Sequence, residues 1–240
     1  MPTTSRDRRS IRWLISYWRR WRHAGRPWSA ALDERVTETH FYEPKAGHGL
    51  KHDPFNAIVA PRPIGWIASR SRSGALNLAP YSFFNAFCYH PPLIGFSSVS
   101  WKHTIANIEA TGEFVWNLAT MELAQAMNAT AATVPAEVSE FELAGLTAQP
   151  CRLVQVPRVA ESPVAFECKL TQIIRLQGAD GRPAEAWLTV GEVIAVHIDR
   201  RLIKDGVYQT ALAHPILRAG RGGDYFEVRP EAMFEMVRPA

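Results

Sequence analysis

Residues 61–82 of this 240-residue chain, PRPIGWIASRSRSGALNLAPYS, hold its densest group of side chains that could do chemistry. Ser69, Asn77 and Ser82 supply hydroxyl and amide donors within an apolar stretch that prolines and glycines punctuate. Polar and cationic donors suit a phosphate group, whereas apolar surface and backbone suit a flat ring. The same pattern predicts an ordinary β-hairpin with its turn at 70–74. From this segment alone, a cofactor site and a plain hairpin both remain open.

A second donor-rich segment, FSSVSWKHTIAN, begins where a predicted strand ends and a predicted helix starts. The first turn of a helix exposes unpaired N–H groups and the positive end of the helix dipole, which favours an anion. Lys102 adds a mobile positive charge, and Thr104 adds a hydroxyl donor. A Ser/Thr helix cap beside an exposed lysine explains the same residues. An anion site and a simple cap are therefore the two interpretations of this segment.

Short apolar runs separated by turn residues follow from about residue 40, and this pattern is typical of β-strands. The predicted strands are 56–60, 64–70, 76–82, 93–99, 113–119, 164–175, 186–198 and 201–203. A turn at 179–182 joins the last two long runs as a hairpin. Helices are predicted at 104–111, which a glycine follows, and at 122–132. Many strands with few helices predict a mainly β, antiparallel, closed or nearly closed barrel.

Composition excludes several classes of protein. The chain is 47% hydrophobic, enough for a full core, and it has no apolar run long enough to predict a transmembrane segment. Cys88, Cys151 and Cys168 are few and widely spaced, which predicts buried thiols in a reducing, cytoplasmic compartment. Because no paired-cysteine motif is present and the histidines are scattered, no metal site is predicted.

Positive charge is concentrated at the start of the chain. The first 27 residues hold eight arginines against one acidic residue, so the rest is net −3 although the whole chain is +4. No nucleic-acid partner is therefore predicted. We divide the chain into a basic, Arg/Trp-rich extension, 1–38, and a single domain, 39–240. The extension fits an amphipathic helix on a membrane surface, a targeting segment or a poorly ordered terminus.

The order of motifs along residues 40–230 resembles the flavin reductase-like family of FMN-binding split β-barrel proteins. The shared steps are Pro-Arg-Pro-x-Gly-Trp, Asn-x-Ala-Pro-x-Ser, a Lys-x-Thr, Gly-Glu-Phe-x-x-Asn and, at 191–197, Gly-Glu-Val-x-x-x-His. The resemblance implies a six-stranded antiparallel split β-barrel with a few peripheral helices. It also implies a homodimer that binds FMN near the subunit interface.

The resemblance further implies which residues contact FMN. Ser69 would reach the phosphate or the ribityl chain, Asn77 and the backbone around Ala79 would border the isoalloxazine ring, and Ser82 would contact its polar rim or the ribityl chain. The phosphate would be held by Ser97, Ser98, Lys102 and Thr104. No catalytic side chain is assigned, because hydride transfer itself needs no acid–base group. His197 is interpreted first as a structural residue.

The implied activity is that of an NAD(P)H-dependent flavin reductase, with NADH or NADPH passing a hydride to the flavin. A monooxygenase or another electron-accepting protein is the candidate partner. The alternatives are an FMN electron carrier without NAD(P)H turnover and a non-catalytic flavin- or haem-binding protein on the same barrel. Two features depart from the family pattern. His103 stands where an acidic residue is usual, and the stretch LRAGRGGDYFEV, with Arg218 and Tyr225, is spaced differently.

Overall fold

The computed structural model describes residues 39–239, so the predicted extension, 1–38, lies outside the described residues. The chain divides between Lys51 and His52 into two units. The described part of the first unit holds a 3-10 helix, Pro44–Ala46. All strands that the structure describes belong to the second unit, which also contains every predicted site residue. No helix within residues 39–239 is long and apolar enough to cross a membrane.

The second unit is built mainly of short and long β-strands. In chain order they are β1 Arg62–Pro63, β2 Gly65–Arg70, β3 Leu76–Tyr81, β4 Phe84–Cys88, β5 Leu93–Val99, β6 Glu113–Asn117, β7 Ala148–Gln149, β8 Arg158–Val159, β9 Val164–Gln177, β10 Pro183–Ile198, β11 Ile203–Lys204, β12 Val207–Tyr208, β13 Ile216–Arg218 and β14 Tyr225–Glu227. The α-helices are α1 Phe55–Ile58, α2 His103–Thr111, α3 Ala124–Ala129 and α4 Glu140–Leu143. Further 3-10 helices are Arg200–Leu202, Thr210–Ala213 and Pro230–Ala232.

Seven strands form the main sheet, in the order β3-β2-β6-β9-β10-β5-β4, and all neighbours are antiparallel. The mainly β, antiparallel prediction is thus confirmed, whereas the main sheet has seven strands instead of the expected six. Of the seven strands in the main sheet, β4 is the one that the sequence did not predict. Four of its five residues are exposed, so it lacks the alternation of buried and exposed residues that marks a strand.

Two local predictions differ from the structure. The predicted strand 56–60 is wrong, because the short helix α1 occupies this stretch. The side chain of Asp53 accepts a hydrogen bond from the Phe55 amide at 2.9 Å and so helps to start the helix. The predicted strand 201–203 is largely a 3-10 turn that continues into β11. By contrast, α2 ends as expected at Gly112, whose φ of 72° is left-handed.

The main sheet curls, and both of its faces carry a core. Trp66 belongs to one buried cluster, which helices α3 and α4 help to cover, and Ile67 belongs to the other. The rings of Tyr81 and Phe96 lie 4.5 Å apart although their strands, β3 and β5, stand near opposite edges of the sheet. The sheet must therefore bend round on itself, with the second cluster enclosed by the bend. Helix α2 contributes Ile108 to this enclosed cluster.

Candidate functional site

Some of the donor side chains of the β2–β3 hairpin point toward the enclosed face of the sheet. Ser69 and Asn77 lie directly opposite each other in the hairpin register, and both are buried. Because alternate residues of a strand share a face, they lie on the same side as Ile67 and Tyr81 of the enclosed cluster. The predicted hairpin is confirmed. Ser69 and Asn77, which lie at its turn end, point toward the enclosed face.

Side-chain hydrogen bonds connect this hairpin to helix α2. The amide of Asn77 donates to the Thr104 hydroxyl at 2.9 Å, and the amide of Asn107 donates to the Ser69 hydroxyl at 3.3 Å. Thr104 is buried in the first turn of the helix. The two segments that the sequence singled out separately are therefore in direct contact.

Helix α2 begins without a side-chain cap. Its N-cap residue is Lys102, no side chain among residues 39–239 caps the helix start, and its first turn carries no acidic residue. The Ser/Thr cap suggested by the sequence is therefore wrong. The first-turn N–H groups and the exposed Lys102 together form a positive surface that suits an anion.

The hydroxyl of Tyr81 lies beside this helix start without a hydrogen-bond partner among the described residues. Burial raises the pKa of Tyr81. The hydroxyls of Thr104 and Ser98 are near enough to lower that pKa in part. They do not stand at hydrogen-bonding geometry to it, and Ser98 donates instead to the Ser100 carbonyl at 3.0 Å. A buried hydroxyl left unpaired carries an energetic cost, and a ligand with polar atoms at this point would remove that cost.

The remaining predicted residues lie at the rim of this region. Ser82 and Ser97 are partly exposed, and their side chains make no hydrogen bond to a described residue. The Ser97 amide donates to the Phe83 carbonyl at 2.8 Å, which holds the strand after Ser82 against β5. Ala79 is partly buried and packs against the enclosed cluster. The predicted donors thus divide into an inner bonded group and an outer group that is available to a ligand.

His103, which departs from the family pattern, faces a buried carboxylate. Burial raises the pKa of Glu140, and the Leu78 amide and the charge of His103 offset part of that rise. The Glu140 carboxylate accepts the Leu78 amide at 3.0 Å, which satisfies a donor of the edge strand β3. A small cavity of about 170 Å³ is lined by His103, Glu140 and Asn77. His103 and the buried Glu140 side chain therefore lie at the same small cavity.

The differently spaced C-terminal stretch pairs its two notable residues with each other. The guanidinium carbon of Arg218 lies 4.7 Å from the centre of the Tyr225 ring, and Arg218 donates to the Gly222 carbonyl at 2.6 Å. The two residues are opposite each other in the β13–β14 register. Their contacts are those of a small stabilised hairpin, and this hairpin pairs with β1.

Sequence reasoning missed a buried carboxylate at the other end of β9 and β10. The side chain of Glu167 accepts the backbone amides of Arg152, Leu153 and Val154, and its Oε1 atom lies 2.6 Å from Nε2 of His197. Burial opposes ionisation of Glu167, but these hydrogen bonds together outweigh it and lower its pKa. The pairing of His197 with Ala165 across the sheet places it near Glu167. Only that strand register reveals the contact.

Cys151 completes a cluster with Glu167 and His197, whose ligand-type atoms lie within 4.8 Å of one another. The carboxylate oxygens already accept the hydrogen bonds described above. Burial raises the pKa of Cys151 to about 11, so the sulfur is a neutral thiol at neutral pH. This cluster is therefore a hydrogen-bonded clamp on the loop that follows Cys151, which supports a structural role for His197.

Residues 59–214 match the family model described as the flavin reductase-like domain. An uncharacterised protein of Halalkalibacterium halodurans is 37% identical over 172 residues, which cover 70% of this chain and 81% of that protein. An uncharacterised protein of Aquifex aeolicus is 42% identical over 155 residues, which cover 62% of this chain and 76% of that protein.

Two solved structures with similar folds carry functional descriptions. Nitrilotriacetate monooxygenase component B from Bacillus cereus has a TM-score of 0.74 and 32% identity, over 82% of this chain and 98% of that one. The 2-nitrobenzoate 2-nitroreductase NbaA of Pseudomonas fluorescens has a TM-score of 0.71 and 28% identity, over 84% of this chain and 96% of that one. With its curled antiparallel sheet, its matched motifs and these relatives, the chain belongs to the flavin reductase-like family of FMN-binding split β-barrel proteins.

Proposed function

We propose that this protein binds FMN between the β2–β3 hairpin and the start of helix α2, and that it reduces the flavin with NADH or NADPH. The observation that carries the proposal is the 2.9 Å hydrogen bond between Asn77 and Thr104, which joins the two donor segments. An uncapped helix start and the unpaired Tyr81 hydroxyl lie at the same place. These features fit a ligand that has a phosphate and a ring with polar edges.

In this proposal the outer donors hold the phosphate. Lys102 and the first N–H groups of α2 bind its oxygens, and Ser97 adds a hydroxyl. Of the inner donors, Asn77 and Ser69 orient the helix start through Thr104 and Asn107. Ser98 belongs to this inner group, close to Tyr81.

The ring and ribityl chain take the remaining contacts. Ala79, in β3, and Ser82, the residue directly after β3, border the ring. When bound, FMN would supply the redox chemistry, which is hydride acceptance and onward electron transfer. The protein binds and orients the cofactor, and no side chain is assigned a proton transfer.

A monooxygenase partner is the proposed acceptor of the reduced flavin. The support is the 32% identity to a protein described as a monooxygenase component. A reducing, cytoplasmic setting is part of the proposal, and its support is that Cys88, Cys151 and Cys168 are all free thiols. The prediction that these thiols are buried is wrong for Cys88, which is exposed.

The proposal includes a homodimer. Phe87 and Tyr89 are 55% and 85% exposed, and they lie at or beside β4 on the edge of the main sheet. An apolar groove of about 510 Å³, which Tyr89, Leu93 and Val193 help to line, runs along this edge. An exposed apolar surface of this kind favours association, and a second copy of the chain would cover it.

An absorbance spectrum of the purified protein, taken before and after anaerobic addition of NADH and of NADPH, tests the proposed function. We expect the yellow spectrum of bound flavin, bleached by at least one of the two nucleotides. A yellow protein that neither nucleotide bleaches would favour the electron carrier. A colourless protein that does not bind added FMN would contradict both flavin functions.

A further inference from the structure

A surface cavity of about 720 Å³ lies at the opposite end of β10 from the proposed flavin site. Leu188 of β10 pairs with Ser97 at the flavin end. His197 in the cavity wall follows farther along the same strand, which spans about 30 Å between Leu188 and His197 at an extended rise per residue. Cavities of this size hold small molecules. Within one subunit, this cavity is separate from the residues proposed to hold FMN.

Two arginines of the cavity wall lack an acidic partner. Arg152 and Arg158 make no ion pair with an acidic residue in the described part of the chain. Arg201 of the same wall does pair with Asp199 at 2.5 Å, and the carboxylate of Glu161 accepts a backbone N–H. The Nε atom of Arg158 is buried and has no hydrogen-bond partner among residues 39–239. Because a partly buried guanidinium without a partner is unfavourable, an anion at this wall would be stabilised.

The same wall also presents an oriented imidazole and apolar surface. Nε2 of His197 is held 2.6 Å from the carboxylate of Glu167, so the orientation of the ring is fixed. Leu153, Val196 and Ile198 line the cavity with exposed apolar side chains. The wall therefore combines cationic groups for an anionic head with a surface for an apolar body.

We propose that this cavity binds a small organic anion, a carboxylate or a phosphate ester with an apolar body, through Arg152 and Arg158. Guanidinium groups match the planar oxygens of carboxylates and phosphates, and paired contacts of this kind are strong. The site does not depend on the proposed flavin chemistry.

Isothermal titration of the purified, FMN-supplemented protein at constant ionic strength tests this site. The probes are benzoate, phenyl phosphate and the uncharged benzyl alcohol. We expect saturable binding of benzoate, of phenyl phosphate or of both, and at least tenfold weaker binding of benzyl alcohol. Which anion binds more tightly distinguishes a carboxylate ligand from a phosphate ligand. Equal binding of all three probes, or no saturable binding of either anion, would overturn the proposal.

Single substitutions test whether the anion binds at this cavity wall. Arg158→Gln and Arg152→Gln should each weaken anion binding at least tenfold, whereas Arg158→Lys should retain part of it. The matched control is Arg200→Gln, an exposed arginine next to this wall that does not line the cavity. A circular dichroism melt identifies any variant that fails to fold, and Arg152, exposed on a loop, provides the independent variant in that case. An unchanged affinity of folded Arg152→Gln protein for these anions would overturn the proposal, whatever the outcome of the flavin experiments.

Discussion

At the start of helix α2, Lys102 is the exposed cation of the proposed phosphate site. Replacing it with alanine removes a charge-assisted hydrogen bond, which is typically worth about 1.5–3 kcal/mol. We therefore expect Lys102→Ala to weaken FMN affinity roughly ten- to a hundredfold. Quenching of FMN fluorescence during titration of the apoprotein measures this. Lys204→Ala, at an exposed lysine of β11, is the control and should bind as wild type. An unchanged dissociation constant for Lys102→Ala would remove Lys102 from the site.

Removing the hydroxyl of Tyr81 should affect the stability of the apoprotein and the affinity for FMN differently. Because this buried hydroxyl has no partner among the described residues, Tyr81→Phe should leave the stability of the apoprotein unchanged or raise it by up to about 1 kcal/mol. If the hydroxyl bonds the cofactor, FMN affinity should fall severalfold in the same variant. Thermal melts of apoprotein and an FMN titration measure the two effects. A clear loss of apoprotein stability would mean that Thr104 or Ser98 already satisfies the hydroxyl.

Glu167 links the stability of the protein to pH. The pKa of this carboxyl is lowered in the folded protein, so its ionised form contributes stability above the unfolded value of about 4.3. That contribution is lost as the pH falls through the lowered, folded-state pKa. Glu167→Gln should cost about 2–3 kcal/mol at pH 7, because it disrupts charge-assisted hydrogen bonds. The difference from wild type should shrink below about pH 4.

Urea unfolding at several pH values measures this effect. Glu109→Gln, at an exposed position of α2, is the control and should differ little from wild type at any pH. A stability difference for Glu167→Gln that stays constant down to acidic pH would contradict the assigned charge of Glu167.

At the level of the elements, strand β10 passes so close to the ring of Phe114 that position 191 requires a glycine. A Cβ atom on Gly191 would lie 2.3 Å from the ring of Phe114. Gly191→Ala should therefore destabilise the protein by about 1–3 kcal/mol through overpacking. Adding Phe114→Leu should recover part of that loss, because a smaller side chain vacates the contact. Urea unfolding of both single variants and the double variant measures the coupling, and purely additive losses would contradict the close contact.

How far local sequence predicts an element depends on where its partners lie. The hairpin of β2 and β3 and the end of α2 at Gly112 follow from turn residues and alternation within a few positions, and both predictions were confirmed. The stretch 56–60 has the composition of a strand, yet Asp53 and the following proline start a helix there. Strand β4 escaped prediction since it lies at an exposed sheet edge, where side-chain burial leaves no periodic pattern.

For the whole molecule, the exposed apolar edge around β4 favours self-association. We expect a homodimer by analytical ultracentrifugation at micromolar concentration. Tyr89→Asp places a charge on a side chain that is 85% exposed, so it should shift the protein toward monomer without lowering its melting point through core damage. Val207→Asp, at a side chain of β12 that is 60% exposed, serves as the control. A wild-type monomer at all concentrations, or a dimer unaffected by Tyr89→Asp, would contradict the proposed interface.

The sequence by itself determined which chemistry is available: hydroxyl, amide and lysine donors on a predicted hairpin and beside a predicted helix start. Those features are local, and local turn and helix signals suffice to place them. Only the tertiary structure decided that Asn77 contacts Thr104, 27 residues away, and that Ser69 and Ser98 are enclosed while Ser82 and Lys102 stay at the surface. It also brought Glu167 and His197 together. These outcomes depend on strand register and on the curl of the sheet, which bring together residues distant in the chain.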